Sequence, residues 1–133
     1  MLYLYICRCV QELNLGSSKN FSKVVSKICE TIKDSYYLTL LDLSNNNLDA
    51  ISCKYLGYLL RQSTNIQNLN LSYCGIRGHS ARIILNSLLS NTSLKYLNLC
   101  WNAFTSSDYE FGSKLGRLIQ IHTSLMHLDL TSV

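Results

Sequence analysis

An α/β solenoid is the fold class this sequence predicts: short parallel strands on a concave inner face and helices on a convex outer face. Three observations carry it. Apolar anchors return at one period, with Val10, Leu38, Ile66, Leu94 and Leu125 separated by 28, 28, 28 and 31 residues. Each anchor is followed three residues on by Leu13, Leu41, Leu69, Leu97 and Leu128, and two further by Leu15, Leu43, Leu71, Leu99 and Leu130. Residues two apart face the same side of a strand. The second half of each repeat then changes to a helical period, as in Phe21, Val24, Val25, Ile28 and Ile32, or in Ala81, Ile84, Leu85, Leu88 and Leu89. A unit of strand, turn and helix cannot bury its apolar face alone, and stacking identical units solves this.

The elements follow in order from that register. The turn position after each strand is Ser18, Asn46, Cys74, Asn102 and Val133. An Asn there can satisfy backbone groups that a turn leaves unpaired. Leu48, Ile76 and Phe104 come next, whereas the first copy is degenerate, with Asn20 at that position and Phe21 beside it. On the helices, Ile28, Leu56 and Ile84 form one column and Ile32, Leu60 and Leu88 another. The smaller column Val25, Cys53 and Ala81 lets each helix sit close to its neighbouring strand. Shifting by 31 continues these columns as Gly112, Leu115 and Ile119 and confines the insertion to Thr105–Phe111. Within it, Ser107 and Glu110 have capping-box spacing. The insertion is a longer loop with an ordinary N-cap, or a contact loop carrying Tyr109 and Phe111.

The pattern L-x-x-L-x-L-x-x-N/C-x-L, present as Leu38 to Leu48, Ile66 to Ile76 and Leu94 to Phe104, resembles that of leucine-rich repeats. The 28-residue period with a full helix is similar to the ribonuclease-inhibitor subtype. The resemblance implies a horseshoe segment of about four to five repeats, one domain over residues 1–133. The register starts and stops inside a repeat and shows no caps, so the sequence reads as a fragment of a longer array. Proteins with similar repeats act as inhibitors, regulatory parts of receptors and scaffolds. The implied function is therefore a protein–protein interaction scaffold or regulatory binding module using the concave face. The alternatives are a regulator of a small GTPase with a similar fold, or a truncated product without function.

Composition bounds the rest. The chain is 47% apolar and 15% charged, with no Pro, enough for a core and too little charge for disorder. Met1–Val10 is too short to span a bilayer and lacks the flanks of a signal peptide, so no membrane role is expected. The six Cys have no framework spacing, and Cys29 and Cys53 fall on faces read as buried. Reduced thiols and a cytoplasmic setting follow. Cys7-Arg8-Cys9 lacks a second pair or a His cluster to complete a metal site. Lys19, Lys23 and Lys27 form one stripe on the first helix, read as a solvated outer face. No aromatic interleaving supports nucleic-acid binding. No nucleotide-binding loop or metalloprotease motif is present, His127 and Asp129 have no nucleophile placed beside them, and no catalysis, cofactor or metal is expected.

The residues between the core leucines point out of the inner face. They form the columns Glu12, Leu40, Asn68, Tyr96, His127; Asn14, Asp42, Asn70, Asn98, Asp129; and Ser17, Asn45, Tyr73, Trp101. The expected partner is another protein. The residues expected to hold it are Tyr73, Tyr96 and Trp101, with Asn70, Asn98, His127 and Asp129 around them. Trp and Tyr supply much contact area for little lost entropy.

Overall fold

The structure is a computed structural model that describes residues 9–18, 21–104 and 109–133. Strands and helices alternate: β1 (Glu12–Asn14), α1 (Phe21–Ile32), β2 (Leu40–Asp42), α2 (Ala50–Gln62), β3 (Asn68–Asn70), α3 (Gly78–Leu88), β4 (Tyr96–Asn98), α4 (Tyr109–Ile121) and β5 (His127–Asp129). The strands form one parallel sheet in sequential order β1-β2-β3-β4-β5. Register follows the repeat period, pairing Leu13 with Leu41, Leu41 with Leu69, Leu69 with Leu97 and Leu97 with Leu128. The expected α/β solenoid is the observed architecture.

One core lies between sheet and helices. The middle strand leucines Leu41, Leu69 and Leu97 are buried, as are Leu43, Leu71 and Leu99 two residues on. Val25, Cys53 and Ala81 are buried where the helices approach the strands. Leu13, Leu15, Leu128 and Leu130 are partly covered and pack against this core from the first and last strands. Asp49 starts α2 by accepting the Ser52 N–H at 2.7 Å, and that bond holds its carboxyl below the usual range. Gly57 permits the close approach of α2 to α3, since a Cβ there would lie 2.6 Å from the Ser87 hydroxyl oxygen.

The turn column ties the repeats together. Asn46 Nδ2 donates to the carbonyls of Leu15 and Leu43 at 2.9 and 2.8 Å. Asn102 Nδ2 donates to Leu71 and Leu99 at 2.8 and 2.9 Å, while its Oδ1 accepts the N–H groups of Cys74 and Ile76. Cys74 fills the same column with a thiol that donates to Leu43 at 3.2 Å. These side chains satisfy buried backbone groups that would otherwise be orphaned.

The fourth helix corrects the expected register. Gly112 and Ile119 are exposed, and Phe111 and Leu118 occupy the inner positions instead. The helix columns thus advance by 30 residues, and the thirty-first lies between Leu118 and His122. The physical reason is a ring stack: Phe111 packs on Phe104 at 4.4 Å, which Gly112 could not do. Phe111 is therefore a core residue and no contact-loop residue, whereas Tyr109 is exposed at the helix start. Ser107, Lys19 and the Cys7–Arg8 part of the first cysteine motif lie outside the described residues. Among the described residues, no helix is long and apolar enough to cross a membrane.

A second column closes the far end of each helix. Asn91 Nδ2 donates to the Leu60 carbonyl at 2.8 Å and its Oδ1 accepts the Leu94 N–H at 2.9 Å. One repeat on, His122 stands in that place, with Nδ1 3.4 Å from the Ser124 hydroxyl and a buried Nε2 that has no partner among the described residues. Burial holds the imidazole below its ordinary pKa of 6.5. A base depressed in the folded state contributes fully above the unfolded value and loses that contribution as pH falls through the folded one. Thermal melts should therefore drop between pH 8 and pH 5 more steeply for the native chain than for His122→Asn, which restores the Asn91 arrangement. Parallel pH profiles would remove His122 as a source of acid sensitivity.

Candidate protein-binding face

The concave face is built by the outward residues of five three-residue strands. It encloses a groove of about 650 Å³ lined by Leu40, Asp42, Asn70, Tyr96, Asn98, His127 and Asp129 among others. Among its described lining residues the carboxylates of Asp42 and Asp129 meet no Lys or Arg, so the groove is weakly acidic.

The middle column has a job in the fold. Asn14, Asp42, Asn70, Asn98 and Asp129 each accept, through a side-chain oxygen, the N–H two residues on, at 2.8 to 3.1 Å. This is the Asx turn, by which the side chain ends its own strand. Asn70 also donates to Asp42 Oδ2 at 3.1 Å. The Thr131 backbone N–H holds the Asp129 carboxyl below the usual range. Of the expected site residues, Asn70, Asn98 and Asp129 are thus engaged at the edge of the groove by turn formation. Among the described residues His127 turns to Tyr96 and does not bond Asp129: the two rings stack at 4.7 Å, within 7° of parallel.

Tyr73 and Trp101 lie one residue past the Asx turn, at the carboxyl rim of the strands. Their rings stack at 5.4 Å with 9° between the planes. Both remain about half exposed, at 51% and 53%. Sequence reasoning placed them side by side but missed their backbone. Ser17, Asn45, Tyr73, Trp101 and Ser132 all have φ between 54° and 56°. That left-handed conformation is cheap for Asn and unfavourable for a bulky side chain, by roughly 1–2 kcal/mol. The signal was present in the column itself, since Ser and Asn are ordinary turn residues and Tyr and Trp are not.

Other chemistry is muted. Burial pushes the thiols of Cys29 and Cys74 up to about 12 and that of Cys53 up to about 11, which leaves them protonated and poor nucleophiles. Among the described residues no group of three His, Cys, Asp or Glu side chains could hold a metal ion.

Comparison with known proteins agrees with this geometry. Two family models match, both described as leucine-rich repeat, over residues 37–59 and 90–108. Leucine-rich repeat-containing protein 45 of Gallus gallus is 25% identical over 123 residues, 84% of this chain. The chain spans only 18% of that protein's length. Among solved structures, the leiomodin-1 chain titled actin-binding site 2 superposes with a TM-score of 0.79 at 21% identity, covering 90% of this chain and 69% of that one. The tropomodulin C-terminal domain of Caenorhabditis elegans gives a TM-score of 0.82 at 15% identity, covering 92% and 74%. Both share the fold of alternating parallel strands and helices.

Proposed function

We propose that this leucine-rich repeat chain is a protein-interaction module that holds its partner on the concave face and along the strand rim at Tyr73 and Trp101. The observation that supports this is the pair of exposed aromatic side chains on left-handed backbone. Asn45 takes the same conformation at low cost, so the fold does not call for Tyr or Trp there. Two such residues cost roughly 2–4 kcal/mol together, and one aromatic stack returns only about 0.5–1.5. The difference is offset if the rings are covered by a partner. Tyr96 and His127 extend the surface into the groove. A cytoplasmic setting suits the buried free thiols of Cys29, Cys53 and Cys74.

The leiomodin chain is titled an actin-binding site, which makes actin the first partner to try. Immobilised wild-type chain and a Tyr73→Asn/Trp101→Asn variant are exposed in parallel to monomeric actin, filamentous actin and whole-cell extract. The reading expects at least one protein retained by the wild type and lost from the variant, with both melting cooperatively. If nothing distinguishes the two, the rim is no binding site.

A further inference from the structure

α2 is apolar on two faces. Its inner face buries Cys53, Leu56, Leu59 and Leu60. Its outer face carries Ile51, Tyr55 and Tyr58, exposed by 62, 41 and 58%, at the i, i+4 and i+7 positions of one helical line. Stacking does not require this. One repeat earlier the same positions are Lys23, Lys27 and Glu30, and one repeat later they are His79, Ile83 and Asn86.

The stripe sits among cations. Lys54 and Arg61 lie on the exposed part of α2, which contains no carboxylate. Lys23 and Lys27 flank it from α1, where Lys27 alone pairs with Glu30, at 3.7 Å. Between α3 and α4, Arg82 and Lys114 both reach Glu110. On α2, Lys54 and Arg61 have no such pairing among the described residues.

We infer that the outer face of α2 docks an amphipathic helix of a second protein, apolar along its i, i+4, i+7 line and acidic on its flanks. The backbone of α2 is hydrogen-bonded within its own helix and offers an extended peptide no ladder. A partner must therefore arrive with its own backbone satisfied, as a helix does. Three large side chains over about 10 Å make a ridge that fits between the side-chain rows of such a helix. Uncompensated Lys54 and Arg61 select acidic flanks. This surface lies opposite the concave face and stands independently of the function proposed for it.

The test uses three labelled helical peptides of about 18 residues, long enough to hold a helix. They share Leu at the i, i+4, i+7 positions and differ only in Glu, Gln or Lys flanks. Fluorescence anisotropy with the full chain should show the Glu peptide binding most tightly. An Ile51→Ser/Tyr55→Ser/Tyr58→Ser variant should lose about 10-fold or more, as expected for central interface anchors. Lys54→Gln/Arg61→Gln should remove the preference for Glu, and Trp101→Asn should leave binding intact. Matched thermal melts establish that each variant is folded. Absence of binding, equal binding of Glu and Lys peptides, or an unchanged triple variant overturns the inference. So does stripe-dependent sedimentation with phosphatidylserine vesicles in the absence of peptide binding, which would make the face a membrane contact.

Discussion

Replacing Asn102 by Ala should lower the free energy of unfolding by about 3–5 kcal/mol, the largest loss expected from one side chain outside the apolar core. The amide is buried and makes four bonds at 2.8 to 3.2 Å to two repeats. Ala removes all four partners at once. Two carbonyls, of Leu71 and Leu99, and two N–H groups, of Cys74 and Ile76, are then left without protein partners. Each buried orphan costs about 1–3 kcal/mol, and water entering the vacated space recovers part of the sum. Urea denaturation followed by circular dichroism measures the change. Asn102→Cys should recover some of it, because the thiol of Cys74 already bonds a carbonyl in the same column. A loss below about 1 kcal/mol for the Ala variant would mean that the turn column does not hold the repeats together.

Partner affinity should fall by about 30-fold or more in Trp101→Asn, equivalent to about 2 kcal/mol. Thermodynamic stability should change by under about 1 kcal/mol, because the relief of left-handed strain and the loss of the stack on Tyr73 nearly cancel. The substitution is built from the chain itself, since Asn45 adopts φ 54° at the equivalent position. Affinity and stability therefore separate. A structural role predicts that both fall together, and a binding role predicts that affinity falls alone. Titration calorimetry with a captured partner and denaturation of the two proteins give the two numbers.

The repeat columns were legible because they are a property of the backbone. Parallel strands one repeat apart must place equal positions side by side, so a period of 28 residues in the sequence is the strand register. The fourth helix was misread because Gly112 satisfied the expectation of a small residue in its column. Only the ring contact between Phe104 and Phe111 shows that the helix has shifted by one residue. The Asx column was legible in principle, since all its members are Asn or Asp. Its composition pointed equally to a polar ligand surface, and the bonds to the N–H two residues on decide how the oxygens are used. The strain at Tyr73 and Trp101 was legible only through the column they share with Ser17 and Asn45, since Tyr and Trp themselves ordinarily avoid that conformation.

The turn column also ties successive repeats by bonds of different strength. Between the first and second repeats the tie is the Asn46 amide on Leu15, and between the second and third it is the weaker thiol of Cys74 on Leu43. Between the third and fourth it is Asn102, bonded in both directions. At the last seam the position is Val133, which has no side-chain donor. At the helix ends the order differs, because the Asn91 amide reaches Leu60 across the seam between the second and third repeats, where the turn offers only a thiol. The rings of Tyr73 and Trp101 straddle the seam whose turn Asn102 bonds as donor and as acceptor. If a partner binds there as proposed, it meets rings that the Asn102 turn and their mutual stack already order, which lowers the entropy to be lost on binding.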